Sequence, residues 1–507
     1  MTLLSIDKIS PPSLVGACVG FASLFSVWYI ITTIVAWYRL RHVPGPFLAS
    51  LSHLWVAKSI VFGTIQNDFS GLGTKYGTVV RVAPNYILTS DPEILRRIAS
   101  ARSNYGKDEW YETIRFAPEH RTMVTILGNS AHDQRKAKAL KGYNGRENAD
   151  LEYAIDSQIA HCVDVVRRKY LSGSETRPVD FASLSRYFTL DIITRLAYGQ
   201  AFGFLDADGD LYEYTIRIDK ALKTRNLCQE VPFLKHIIFS RPFHALFGPK
   251  PTDEKGIGKV MGITQKIIGE RFKDANPPDD MMGSFIRHGM TEDECRSEAM
   301  LQILAGADTT AVAIRTTLMY IVATPRVYSR LKTMIRQCVE RNEVSTPITY
   351  EEAQKLPYLK AIILEGIRMR SPAPYGHYKK TPPEGDVING IFIPGGTAIG
   401  HNSIAMTRSK AIFGEDVEVF RPERFLEGDE KTKAERAFTI DIIFGNGRWT
   451  CAGKPIVMIE LHKVFFEFLR VFDFQIVNPG KGWDENLYFV YFQSNMWVAI
   501  TKAEKNE

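Results

Sequence analysis

Cysteine is scarce and scattered in this chain. Six occur among 507 residues, at Cys18, Cys162, Cys228, Cys295, Cys338 and Cys451, and no pair has the spacing of a zinc site or a local disulfide. Such usage fits a reducing compartment better than a disulfide framework. Dense Lys/Arg blocks are also missing. The net charge is only +6 at this length, so no nucleic acid is expected as a partner, whereas a basic patch for an acidic protein is compatible. No flavin- or nicotinamide-binding segment is recognisable. The glycines around Gly453-Lys454 do not make a phosphate loop, because Pro455 stands where Ser or Thr is needed. Apolar residues are not lacking. Hydrophobic side chains make up 45% and aromatics 11%, enough for a large core and too much for disorder over most of the chain.

One long stretch lacks charge altogether. Nothing between Lys8 and Arg39 is ionisable except Cys18 and two tyrosines, and Leu14 to Trp37 is apolar apart from Ser and Thr. Those 24 residues span roughly 36 Å as a helix, which covers a bilayer core of ~30 Å. Trp37 and Tyr38 stand where interfacial aromatics belong. Arg39, Arg41 and His42 follow, so the positive-inside rule puts the rest of the chain in the cytoplasm. The run is too long for a signal-peptide core and has no obvious cleavage site. Residues 1–43 therefore read as a membrane anchor with a helix at about 14–37. Pro44-Gly45-Pro46 makes a short elbow, and a globular domain occupies 44–507.

Within that domain, Val79–Val82 and Tyr86–Thr89 form a strand pair, and Asp91-Pro92 starts a helix. Residues 101–128 lack a clean period and read as a long irregular loop, of the kind that is usually functional. A basic helical segment opens at His132, whose partner at i+4 is Lys136; Arg135, at i+3, competes for the same face. Helical periods run over Asp150–Leu171, Phe181–Ala197 and Leu211–Leu227. From Ser240 to Gly258 three prolines break the pattern among exposed apolar residues, in a loop that either dips into a bilayer or packs normally. Thr291 and Glu294 have capping-box spacing for a helix to about Ala323. Its middle reads Ala305-Gly306-Ala307-Asp308-Thr309-Thr310, a composition that weakens a helix and suits close approach of a ligand. Asp386 to Pro394 is a hairpin around Asn389-Gly390. Residues 408–440 are polar and irregular.

The stretch Phe444-Gly445-Asn446-Gly447-Arg448-Trp449-Thr450-Cys451-Ala452-Gly453 puts a single cysteine after a glycine-rich turn and before an apolar helix reaching about Phe472. Gly447 permits a turn closed to residues with a Cβ, and Gly453 lets the backbone pass against a large ring. Backbone N–H groups at the helix start lower the pKa of a sulfur placed there. With Phe444 over its outer side, this is a thiolate presented to a flat metal cofactor. The stretch resembles the haem-ligand loop of the cytochromes P450: Phe444, Gly447, Cys451 and Gly453 match the pattern, while Trp449 stands at the usual Arg and Arg448 lies one place earlier.

The resemblance covers roughly 44–500 and implies a mainly α fold with small β-sheets, a single large haem domain following the transmembrane helix. It implies haem b with Cys451 as axial thiolate ligand. Asp308 and Thr309 match the residues that supply protons during oxygen activation. His132, with Lys136, matches a haem-propionate contact; the contact normally made at position 449 falls to Arg448 or to the Trp449 N–H. His377, in the segment 371–377 beside the haem, faces a propionate or packs as a polar side chain. Glu365, Arg368 and Arg424 match a buried ionic triad that fixes the haem-side core. Electrons are implied to come from an NADPH–cytochrome P450 reductase, steered by Lys136, Lys138, Arg448 and Lys454, at the endoplasmic reticulum membrane. The wording of the motifs is most like fungal members of the pisatin-demethylase-like group, which implies a small lipophilic substrate from secondary metabolism. Two rivals are a peroxide isomerase or dehydratase on the same haem, disfavoured by the intact Asp308-Thr309 pair, and a membrane-anchored haem- or ligand-binding protein without turnover.

Overall fold

A computed structural model describes residues 11–145, 147–148 and 150–503; Asp7 and Lys8, which flank the anchor, lie outside these. The stretch read as an anchor is one helix, Pro11–Leu40. Its segment Val15–Leu40 has a mean hydropathy of 1.9 and an apolar window wholly uncovered by the rest of the chain, so it is long and apolar enough to cross a bilayer.

The domain is built on the helix Glu292–Val322, 31 residues long and buried over most of its circumference. Burial all round is why its sequence shows little amphipathicity. The capping box at its start forms as the spacing requires, with Thr291 accepting from the Glu294 N–H and Glu294 from the Thr291 N–H. Helix Phe181–Tyr198 runs antiparallel along it. Three contacts fix the pair: Tyr198 Oη donates to Ala299 O at 2.9 Å, Ile193 covers Gly306, and Arg186 meets Asp308. A Cβ on Gly306 would lie 2.9 Å from Ile193 Cγ1 and Cδ1, so this glycine serves the crossing of two helices as well as the space beside it.

A five-stranded sheet flanks these helices, in the order Val79–Ala83, Tyr86–Thr89, Ala398–Asn402, Tyr375–Lys380, Gly106–Lys107. The hairpin of Asp386–Ile388 and Ile391–Ile393 turns on Asn389 and Gly390, at φ 49° and 76°, as a type I′ turn needs. Glu365, Arg368 and Arg424 are fully buried. Arg368 Nε is 2.7 Å from Glu365 Oε2 and its Nη2 2.9 Å from Oε1, Arg424 Nε is 3.1 Å from Glu365 Oε1 and its Nη1 3.0 Å from Asp416 Oδ1, and further guanidinium N–H groups donate to carbonyls such as those of Thr407 and Val417. The network leaves no charge without partners, the condition under which a buried ion pair is tolerable.

Three segments differ from their reading in the sequence. Residues 101–128 contain an edge strand, Gly106–Lys107, and a 3-10 helix, Glu109–Ile114, capped by Asp108. Ser240 to Gly258 contains a helix, Arg241–Phe247: Pro242 sits in its first turn, where it needs no N–H, and the Ser240 hydroxyl accepts from Phe243 N. Residues 430–441 form another helix, Glu430–Asp441, whose start is capped by Asp429 accepting from Thr432 N at 2.7 Å. In each case a local cap outweighs an unpromising composition.

Candidate active site

The central helix and the Cys451 loop face each other across a cavity of about 400 Å³. Ala305, Gly306, Asp308 and Thr309 line one wall, and Phe444, Cys451 and Gly453 line the other. The accessible surface of Ala305, Gly306 and Thr309 interrupts an otherwise buried helix, so the middle of Glu292–Val322 is open only on this side. Thr309 Oγ1 donates to Ala305 O at 2.7 Å, the back-bond to the preceding turn that its position suggested. Asp308 is buried, and Arg186 Nε reaches its Oδ1 at 2.7 Å. The same guanidinium holds Asp219 at 2.7 Å, on the neighbouring helix Tyr214–Glu230. Two carboxylates around one cation keep Arg186 charged and raise its pKa despite burial.

Two left-handed glycines shape the cysteine turn. Gly445 has φ 77° and Gly447 φ 51°, and a Cβ on Gly447 would fall 2.5 Å from Ala99 O. Cys451 N donates to Phe444 O at 2.6 Å, which closes the turn. The Cys451 thiol is accessible, but to the cavity. Burial pushes its pKa up; the N–H groups of Gly453 and Lys454 and the nearby Lys136 and Lys454 charges pull the other way without outweighing it. The expected helix-start donors are thus in place, and burial still wins for the free thiol. Coordination to a cation reverses that balance, because the ligand is the thiolate.

At one edge of the cavity charge accumulates. His132 packs tilted against Trp449, ring centroids 4.5 Å apart, and both line the cavity. Burial, with Lys107 nearby, pulls the His132 pKa down to about 4. Lys136 also lines the cavity, yet its ammonium donates to Arg448 O at 2.8 Å and Thr450 O at 2.6 Å and so braces the cysteine turn. Arg135 is spent on Glu294 and Glu298 and drops out as its competitor. Arg448 is held by Asp133 at 3.0 Å and by Ala101 O, and does not line the cavity; Trp449 does. His377 lines it too, stacked at 5.0 Å on His401, with Nδ1 lacking a hydrogen-bond partner among the described residues.

Two further residues were not recognised in the sequence. Lys107 and Lys379 stand directly opposite each other in the strand pair Gly106–Lys107 and Tyr375–Lys380, both buried, both lining the cavity. Each ammonium is 5.0 Å from the Trp449 ring centroid. Among the described residues neither has a carboxylate within ion-pair distance. Burial pulls the Lys379 pKa down to about 7 and that of Lys107 well below its ordinary value. Like charges facing each other in a dry sheet are destabilising unless an anion sits between or beside them. Period-2 alternation could not have found Lys379, because the register shifts between Gly376 and Lys379 and His377 has φ 52°.

The residues fit a haem. A flat macrocycle has a wall with a thiol on one side, a helix open at Ala305–Thr309 on the other, and cations for its carboxylates at one edge. At Gly453 an added Cβ would meet only Cys451 Sγ, at 3.8 Å, so the floor beside the sulfur is clear.

Comparison with known proteins agrees with this geometry. The family model described as Cytochrome P450 matches residues 42–491. The protein named Cytochrome P450 monooxygenase ABA1 from Pyricularia oryzae (strain 70-15) is 42% identical over 493 residues, 95% of this chain and 96% of its own. Cytochrome P450 monooxygenase aba1 from Botryotinia fuckeliana (strain B05.10) is 42% identical over 478 residues, covering 92% and 93%. Cytochrome P450 monooxygenase abl1 from Leptosphaeria maculans is 37% identical over 496 residues, covering 96% and 87%. A thiol facing an open helix across a haem-shaped cavity and a match over nearly the whole length lead to one conclusion: the chain belongs to the cytochrome P450 family and is a monooxygenase, an oxidoreductase.

Proposed function

We propose that this enzyme uses haem b, electrons from NADPH–cytochrome P450 reductase and dioxygen to oxidise a small lipophilic intermediate of fungal secondary metabolism. The observation that supports this most is the Cys451 thiol lying across one cavity from Asp308 and Thr309. Haem bound there would supply oxygen activation, which a cysteine thiolate would favour by donating electron density. Cys451 would hold its iron. Phe444, Gly447 and Gly453 shape the loop around the sulfur, and Lys136 braces that loop through Arg448 O and Thr450 O. Trp449, His132, Lys107 and Lys379 receive the propionates, while Arg448 acts from outside through Asp133.

Thr309 orders a hydroxyl at the open helix wall, and Asp308 holds a proton-transfer position fixed by Arg186. Asp219, 42% exposed, connects that guanidinium to the surface. The lining of the cavity by Ile114, Val124, Leu222, Leu301, Ala313 and Val490 selects an apolar body. His377 Nδ1 offers that body one hydrogen-bonding point. The enzyme sits in the endoplasmic reticulum membrane by its N-terminal helix, with the catalytic domain cytoplasmic. Lys138, Lys454 and Arg448 help to steer the acidic reductase.

The test is reconstitution with reductase. A panel of lipophilic compounds is first screened for spin-state shifts. With a binder, the parent enzyme consumes NADPH and forms an oxygenated product. Thr309→Ala keeps the haem but lowers product per NADPH by about tenfold or more, a fraction of the ~10²–10⁴ contribution of a fully positioned proton donor. Unchanged coupling in that variant contradicts the role given to Thr309.

A further inference from the structure

The junction between the membrane helix and the domain is built as a joint without slack. Arg81, on strand Val79–Ala83, is 1% exposed. Its guanidinium donates only to backbone carbonyls: Ala36 O at 2.9 Å, Trp37 O at 3.3 Å, Pro84 O at 2.7 Å and Ala83 O at 3.4 Å. The first two belong to the last turn of the helix Pro11–Leu40, so a buried cation from the sheet caps the anchor's C-terminus. Around it, Arg39 Nη2 donates to Gly395 O at 2.7 Å and the His42 ring bonds Phe392 O at 2.6 Å. Leu40 and Val43 are buried in one cluster with Val79, Ile87, Ile388 and Ile393. The elbow is closed as well: Arg81 N donates to Pro44 O at 2.8 Å, and a Cβ on Gly45 would lie 2.3 Å from Arg81 O.

The helix also runs beside the domain before it ends. Thr33, Ala36 and Arg39 are half-buried at three-residue spacing, which marks a packed face. Tyr29 Oη donates to Ser52 Oγ at 3.3 Å. Tyr29 lies eleven residues before Leu40, roughly 16 Å along the axis. The short helix Phe47–Leu51 therefore packs beside the end of this long apolar helix, and Leu54–Val61 packs in turn on Phe47–Leu51. Their outer side chains are apolar and bare: Phe47 71%, Leu48 65%, Leu54 72% and Phe62 71% exposed.

We infer that Arg81 locks the membrane helix to the main sheet, so that the anchor is a rigid strut which holds Phe47, Leu48, Leu54 and Phe62 within the bilayer at one fixed depth. The elbow Pro44-Gly45-Pro46 is then a corner piece of the joint instead of a hinge. The inference rests on reading Val15–Leu40 as a bilayer-spanning anchor, and the partner it commits to is the lipid bilayer.

The test uses the full-length haem protein in phosphatidylcholine nanodiscs. A fluorescent amino acid replaces Phe62, and its depth is read from quenching by nitroxides at two acyl-chain positions. The orientation of the haem plane is read in parallel by linear dichroism of oriented bilayers. In the parent the probe is quenched by the lipid nitroxides and the haem shows one tilt. Arg81→Ala, and separately a six-residue Gly-Ser insertion after Val43, reduce quenching at least twofold and broaden the tilt distribution. The insertion leaves Arg81 in place, so it remains informative if Arg81→Ala fails to fold. Identical depth and tilt in the parent and the insertion variant overturn the strut, as does an unquenched probe in the parent. Extraction of the parent by alkaline carbonate instead overturns the anchor reading itself.

Discussion

Lys107 and Lys379 stand opposite each other across a strand pair, both buried; Lys107 donates to Met123 O and Val124 O and Lys379 to His377 O, and among the described residues neither has a carboxylate within ion-pair distance. Burial holds Lys379 at about 7 and Lys107 well below its ordinary value, so in the haem-free protein both ammonium groups lose protons easily. A propionate raises both values again, and haem uptake therefore takes up protons. By linkage, affinity for haem falls as the pH rises through the Lys379 value of about 7, by up to about tenfold per pH unit, and the lowered Lys107 pKa acts in the same direction. Transfer of haem to apomyoglobin, timed across that range, measures this. Lys379→Met is expected to lower affinity and flatten the profile; a profile already flat in the parent contradicts the role of the pair. At this scale the sequence singled out Cys451, Asp308 and Thr309 by their stereotyped motifs, and the fold brings the three to one cavity. Lys107 and Lys379 were missed because neither stands in a motif. Only the register that puts them opposite each other gives them meaning. The choice between Arg448 and Trp449 likewise needed the Asp133 contact that holds Arg448 aside.

Among elements, the crossing of Phe181–Tyr198 over the central helix carries the site. Gly306→Ala drives a methyl to within 2.9 Å of Ile193, and overpacking of that kind costs about 1–3 kcal/mol. Thermal unfolding of the haem-loaded protein should show the loss, and Ile193→Ala in the same chain should restore most of it; failure of the second change to rescue the first contradicts the packing account. Glu365→Ala leaves Arg368 and Arg424 buried without their shared carboxylate, a loss of about 3–5 kcal/mol, expected as little or no folded, haem-retaining protein. Arg424→Ala with near-parent stability would contradict it. Capping boxes, strand pairs and the Asn389-Gly390 turn were legible because each is decided within a few residues. Helices Arg241–Phe247 and Glu430–Asp441 were not, because prolines and polar composition were weighed above the caps at Ser240 and Asp429.

At the scale of the whole molecule, a sheet and a helical domain meet around one cavity, a long apolar N-terminal helix joins the sheet away from it, and the chain's membership of the cytochrome P450 family follows from nearly its entire length. What no local pattern revealed is how the anchor joins the domain, since Arg81 is 44 residues from the nearer carbonyl it caps. The account turns on the bond that Cys451 offers to the haem iron. The most direct test is the absorption spectrum of the full-length protein, dithionite-reduced and exposed to carbon monoxide, beside that of Cys451→Ala. The expected result is the red-shifted Soret band of thiolate ligation in the parent and its absence from the variant. A nitrogen-ligated spectrum in the parent, or a thiolate band that survives in Cys451→Ala, would contradict it.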